Sequence, residues 1–312
     1  MKKLIPIFVV LALFAAGCQL GGGAAGAPTA LALPTTAATN TAVPTSEVGA
    51  GNTSGTGTER VSPGDGMVQV FIPDGIFYMG GVDARASGDE KPVHQVTMSG
   101  YWIDKVEVTN SMYALCVKAG ACRIPLELKS ENQALYYTNP DFNDYPVIYV
   151  TWYMAKTYCE WAGRRLPTEA EWERAGRGDD TRTYPWGDQV PDAQRANFNG
   201  YFGDPTRVGS FPKGASPFGV LDMAGNVAEW VNDYYDGEYY ASGVNFNPGG
   251  PVSRTTIFNR VVRGGTFRDA EVDIRVSNRA SVLGSNVNAT LDSPEWLGEY
   301  SPRIGFRCAS GN

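Results

Sequence analysis

The chain has 312 residues, of which 43% are hydrophobic and 12% aromatic, with a formal net charge of −7 and a pI near 4.9. That is enough apolar material for a substantial core, and the dispersed Lys and Arg leave no basic stripe to neutralise phosphates, which argues against a nucleic-acid partner. The lone histidine, His94, excludes any mechanism that needs two or three imidazoles.

The N-terminus reads as an address. "MKK" precedes the apolar run "LIPIFVVLALFAAGC", which is too short for a comfortable membrane span and ends in small residues before Cys18, the form of a secretory signal. Ala15 to Cys18 resembles a bacterial lipobox, with Ala15 where leucine is usual. Residues 1–18 are therefore expected to be a lipoprotein signal peptide, with Cys18 lipidated and the mature chain extracytoplasmic and anchored to a bacterial membrane. The alternative is an ordinary signal peptide with an incidental cysteine. Residues 19–65 form a Gly/Ala/Thr/Pro/Ser tract without apolar period, the composition of a disordered tether. A single folded domain, 66–312, follows without internal repeat.

Within that domain, "MVQVFIPDGIFYMGG" and "HQVTMSGYWIDKVEVT" read as short strands. "TWYMAKTYCEWAG" predicts a helix capped by Thr151, with an apolar face through Trp152, Ala155, Cys159 and Ala162, and stopped at Gly163. "LPTEAEWERA" predicts a second helix, with Thr168 and Glu171 as a capping box. Its charges read as a solvated surface face with Trp172 turned inward. The remainder is irregular and glycine-punctuated, so the fold class is α+β with a large coil fraction. His94 reads as a hydrogen-bonded structural residue in a strand, and the glycines of "RVVRGG" as turn or close-approach positions without phosphate-loop spacing. Four cysteines besides Cys18 form an even set, as expected for disulfides in an exported protein. Cys116 and Cys122 can close a small loop, with a redox or metal pair as the alternative.

The ordered blocks "GGVDARASGDEKPVHQVTMSGYWIDKVEVTNSMY", "PVIYVTWYMAKTYCEWAGRRLPTEAEWERAGRG", "YPWGD", "ANFNG", "VGSFPKGASPFGVLDMAGNVAEWVNDYY", "RVVRGG" and "RIGFRC" resemble the formylglycine-generating enzyme (sulfatase-modifying factor) family over residues 66–309. The resemblance implies a single α+β domain, distantly similar to C-type lectins and poor in regular structure. It also implies that Cys159 and Cys308 are joined. Oxidising members hold Cu(I) through two thiolates shortly after the Gly-Gly of "RGGTFRDAEVDIRVSNRAS". Here those positions fall among Arg268, Asp269, Ala270, Glu271 and Asp273, and no cysteine lies between Cys159 and Cys308. Hard carboxylates do not replace thiolates for a soft ion, so no copper is expected.

The family's calcium positions correspond to Asp222, Gly225, Val227 and Glu229, whose carboxylates and carbonyls are the hard oxygen donors Ca²⁺ prefers. A second set falls on Asn197 and the Phe198 carbonyl; its other half is shortened, which leaves Asp204 and Thr206 as doubtful ligands. Arg275 and Arg279 read as scaffold, tied to carboxylates or carbonyls. Arg268, Asp269, Glu271, Asp273, Trp296 and Tyr300 are expected to line a recognition cleft. Since function lives in the site and not the fold, the leading expectation is a tethered protein that binds a peptide, protein or glycan in the former substrate groove. The alternatives are an enzyme with altered, non-copper chemistry and a structural envelope component.

Overall fold

The computed structural model describes residues 57–252, 259–284 and 298–311. Cys18, the signal segment, residues 19–56 of the expected tether and Trp296 lie outside the described residues.

Four strands form an antiparallel sheet. They are β1 (Glu59–Val61), β2 (Val68–Ile72), β5 (Tyr101–Asp104) and β10 (Ala309–Gly311), in the order β1-β2-β5-β10. The first strand precedes residue 66, where the composition places the start of the folded region: Glu59 to Val61 register with Val70 to Val68. The charged "ER" pair that hides this strand is exposed, and it is held by Arg60 donating to Gln69 and stacking over the Trp102 ring at 4.3 Å. β3 (Gly75–Met79) and β4 (His94–Met98) form a separate hairpin-like pair. A third sheet combines β6 (Ala228–Tyr234), β7 (Asn259–Arg263), β8 (Arg279–Leu283) and β9 (Ile304–Phe306) in the order β8-β7-β6-β9, with only β6 and β9 parallel among the described pairs.

Three α-helices are present among the described residues. α1 (Asn110–Lys118) is capped by Thr109, α2 (Trp152–Trp161) by Thr151, and α3 (Glu169–Arg177) by the reciprocal Thr168–Glu171 box. α2 and α3 follow the sequence pattern. α1 was not legible there, because its apolar face is short and its opening "TNS" reads equally as a turn. Two clusters hold most of the core. One packs α1, α2 and the β6/β9 edge around Tyr113, Trp152, Tyr158, Trp230 and Phe306. The other seats Trp172 of α3 between β2, β5 and β7, against Val70, Ile103 and Val261.

Two disulfides tie these parts together. Cys116–Cys122 closes the turn after α1, and Cys159–Cys308 joins α2 to the residue just before β10, across 149 positions. By loop entropy the long bridge restrains the unfolded chain by about 5 kcal/mol and the short one by about 2 kcal/mol. Cys159→Ala/Cys308→Ala should therefore lower the denaturation midpoint markedly more than Cys116→Ala/Cys122→Ala. Equal losses in urea titrations would show that loop length does not govern their contributions.

Candidate functional site

The segment from β7 through β8 is organised by charge taken out of water. α3 is buried along its entire length, so it is not the surface helix its composition suggested, and Glu169, Glu173 and Arg177 are paired inside the protein. Glu169 accepts from Arg263 Nη1 at 2.6 Å and from Arg279 Nε at 2.7 Å. Glu173 accepts from Arg263 Nη2 at 2.7 Å and from Arg177 at 3.0 Å. On the far side of Trp172, whose indole N–H donates to Glu229 at 2.9 Å, Arg307 engages both oxygens of Glu229 at 2.6 and 2.7 Å. Arg275 grips both oxygens of Glu90 at 2.7 and 2.8 Å, with Ser277 adding a third donor. Arg275 and Arg279 are thus scaffold, as read from the sequence. Burial works against the charge of Glu169, but Arg279 and Arg263 outweigh it and hold its carboxyl below the usual range.

This frame leaves the Gly264-Gly265 turn as a fixed corner. Both glycines have positive φ, and a side chain at Gly265 would collide with the Asp273 carbonyl at 2.7 Å. The corner opens on a cleft of about 220 Å³ whose polar lining is Thr266, Asp269, Asn278, Ser301 and Arg303 and whose apolar lining includes Val262, Ala280, Val282 and Ile304. Asp269 is held by the Thr266 N–H, 2.8 Å from one carboxylate oxygen. Arg303 reaches Glu131 at 2.6 Å, and Arg268 meets the same carboxylate at 2.6 Å. Burial opposes the charge on Glu131, yet Arg303 and Arg268 keep it below the ordinary carboxylate range. Burial, with Asp269 close by, raises Asp273.

The expected cleft residues therefore divide. Asp269 lines the cleft, and Arg268 reaches Glu131. Glu271 turns out to an exposed pair with Arg85 at 3.3 Å. Asp273 contributes its carbonyl to Asn278. Tyr300 packs 6.3 Å from Tyr149. Arg303, Asn278 and Glu131 were missed by sequence reasoning, because nothing local marks them: Arg303 is brought from the start of β9 and Glu131 from a loop far along the chain. His94 packs at a tilt against Tyr240, 4.9 Å between ring centres, and its Nδ1 meets the Pro92 carbonyl, a structural setting.

The calcium positions meet a crowded interior. Asp222 sits at φ 58° and accepts the Gly209 N–H at 2.6 Å. It lies close enough to Glu107 and Glu229 for their charges to interact, and burial first, with Glu229 adding to it, raises its carboxyl. Burial and the Asp222 charge push Glu107 well up, and Glu107 Oε2 is buried without a partner. Three carboxylates thus face one guanidinium, Arg307. This concentration of hard oxygen fits a hard cation at Asp222, with Glu229 shared between it and Arg307. No group of three or more His, Cys, Asp and Glu side chains among the described residues is arranged for a metal, so such a site would rest partly on the Gly225 and Val227 carbonyls. Gly225 is fixed there by φ 75° and by the Asn197 carbonyl, which a side chain would meet at 2.1 Å. In the second set Asn197 and Thr206 meet at Asn226, and Asn197 Oδ1 is buried without a partner among the described residues. Asp204 turns its carboxylate to Ser130 and to the Glu131 and Asn132 N–H groups, while Asn197 Nδ2 bonds the Asp204 carbonyl, Thr206 bonds Asn226, and the Phe198 carbonyl accepts from Tyr201.

A family model described as "Sulfatase-modifying factor enzyme 1-like domain" matches residues 56–311. The chain belongs to this family. It is 31% identical over 293 residues to the formylglycine-generating enzyme of Thermomonospora curvata, covering 77% of this chain and 92% of that protein. It is 34% identical over 264 residues to the serine/threonine-protein kinase pkn1 of Chlamydia caviae, covering 78% of this chain but only 38% of that protein. Among solved structures, PvdO from Pseudomonas aeruginosa superposes with a TM-score of 0.67 at 25% identity, covering 83% of this chain and 99% of that one. The sulfatase-modifying-factor fold is thereby shown, and relatives of the chain include enzymes. Against the kinase relatives the chain spans under two-fifths of their length, so nothing of their activity transfers.

The buried pairs make a direct prediction. Glu169→Gln leaves Arg263 and Arg279 short of a counter-charge and should cost about 3 to 5 kcal/mol in urea unfolding at pH 7. Because the folded carboxyl is held below its unfolded value near 4.3, its stabilising contribution is complete above that pH and is lost as the pH falls through the folded value. The gap between wild type and variant should accordingly shrink below about pH 4; a gap independent of pH would contradict the ion-pair account.

Proposed function

We propose that this chain is a membrane-tethered, extracytoplasmic member of the sulfatase-modifying-factor family that binds a peptide, protein or glycan ligand in the cleft beside Asp269, without copper chemistry. One observation carries the reading: where oxidising relatives are expected to place thiolates, this chain offers Asp269 on a polar-and-apolar cleft, and the segment contains no cysteine. A carboxylate, an amide, hydroxyls and a guanidinium around an apolar floor can orient a ligand, but they supply neither a soft-metal site nor an activated nucleophile. The alternative, an enzyme of altered chemistry, is supported by the 92% coverage of a relative named as a formylglycine-generating enzyme.

The full-length chain, loaded with Cu(I) and given a cysteine-containing sulfatase-type peptide with oxygen, should leave the cysteine unoxidised by mass spectrometry. Selection from a random peptide and glycan library should return ligands whose affinity falls at least about tenfold, or about 1.4 kcal/mol, with Asp269→Ala or Arg303→Ala. Formylglycine in the first assay overturns the reading. A covalent mass change in a selected ligand favours the enzyme alternative.

We also propose that Asp222, Glu229 and the Gly225 and Val227 carbonyls hold a structural Ca²⁺. The concentration of hard oxygen at Asp222 supports this. An ion bound only by the folded state stabilises it by RT ln(1 + [L]/Kd), about 2.7 kcal/mol at a hundredfold excess over Kd. Millimolar calcium should therefore raise Tm by several degrees over chelated protein, and Asp222→Ala should remove the difference. Equal Tm values for wild type under both conditions, with no calcium in elemental analysis, would refute the site.

A further inference from the structure

A second, larger groove of about 780 Å³ lies at the other end of β7 from the Asp269 cleft. Asn259 at the start of β7 lines the groove, whereas Val262 near its end lines the cleft. Its floor follows the end of β6 and the turn after it, and its opposite wall is the Asn247-to-Val252 stretch. Its chemistry differs from that of the cleft. The groove presents Tyr235 and Tyr239 together with Asp236, Glu238 and Asn259, while the Asn247 carboxamide in its wall is held by Ser99.

The tyrosine rings are held in place from behind. Arg279, itself paired with Glu169, sits 5.1 Å over the Tyr235 ring, and the Tyr235 hydroxyl donates to Asp89 at 2.8 Å. Arg260 lies between Trp152 and Tyr234, 3.6 and 3.5 Å from the two ring centres. Tyr239 packs against the cluster of Phe77, Met79, Val96 and Tyr240. Tyr234 and Tyr235 are therefore fixed by Arg260 and Arg279 before any ligand arrives, which spares part of the ordering cost of binding. Asp236 and Glu238 remain exposed, and Glu238 has its backbone N–H fixed by Asp236 Oδ1 at 2.9 Å.

We propose that this groove is a binding site for a neutral oligosaccharide, separate from the Asp269 cleft. Rigid tyrosine faces suit the C–H faces of pyranose rings, while carboxylates and carboxamides accept from and donate to sugar hydroxyls. The two exposed carboxylates, Asp236 and Glu238, disfavour phosphates and acidic peptides along the described rim. Its polar rim is unsuited to a lipid chain, and its volume falls within the range of small-molecule sites.

The test uses the full-length chain titrated with chitotriose, cellotriose and maltotriose, followed by tyrosine and tryptophan fluorescence and by calorimetry. At least one trisaccharide should bind saturably with Kd below about 10 mM. Glu238→Ala and Tyr239→Ala should each weaken that binding at least about tenfold, while Asp269→Ala leaves it unchanged. Glu238 is exposed and makes no buried pair, so its variant should keep the wild-type melting curve and remains informative if Tyr239→Ala fails to fold. The proposal is overturned if no trisaccharide binds in that range, if binding survives Glu238→Ala intact, or if Asp269→Ala abolishes it.

Discussion

The structure depends on arginine–carboxylate pairing inside the protein. Arg263, Arg275, Arg279 and Arg307 are each within a few per cent of complete burial, as are Glu90, Glu169, Glu173 and Glu229. Removing such groups from water is expensive, and only close, multiply bonded partners offset that cost. The pairs therefore dictate where chain segments distant in sequence must meet. Glu173 has Arg177 one turn along α3, but Glu169 is neutralised only because β7 and β8 present Arg263 and Arg279 to the same face. Register does this directly, since Arg263 and Arg279 are partners across the β7–β8 ladder. Glu229 likewise stands opposite Arg263 and is met by Arg307 from just past β9. Trp172 fills the space between the two ionic layers.

The surface features follow from that frame. The Gly264-Gly265 corner sits where β7 leaves the ionic layer, and Trp172 approaches Gly264 to within 3.2 Å of where a side chain would start. The cleft beside Asp269 opens at this corner. The tyrosine-lined groove at the far end of β7 is backed by Arg279 from the same layer and by Arg260, which stacks on Tyr234 and donates to the Asn232 carbonyl. One strand thus separates two recesses of different chemistry, with the arginines of the core serving as the rear wall of one of them.

Much of this was legible in the sequence where the signal is local. Thr151 and Thr168 announce α2 and α3 because a capping residue and its partner lie within one turn. The strands β2 to β5 announce themselves by apolar runs. The family blocks implied the Cys159–Cys308 bridge and the α+β fold, and both are present. What failed was reading polarity as exposure. The run "TEAEWER" looks like a solvated helix because no local pattern shows that its partners sit about a hundred residues downstream. For the same reason the cleft was only partly foreseen: Asp269 could be placed from its neighbours, but Arg303 and Glu131 arrive through tertiary folding alone, and Glu271 turns away to Arg85. The burial of Glu107 beside Asp222 had no sequence signal either, since a lone Glu after a strand is ordinarily exposed.

The central claim is that the charged helix 169–177 and the arginines that pair with it, Arg263 and Arg279, are core, not surface. Native-state hydrogen exchange tests it most directly. The amides of Trp172, Val262 and Val276, bonded within α3, within the β6–β8 ladder and to Thr183 respectively, should exchange only through global unfolding, with the same free energy as denaturant titration. If these amides instead exchange through local opening, several kcal/mol below the global value, then the ionic layer is a mobile surface feature and the account built on it is wrong.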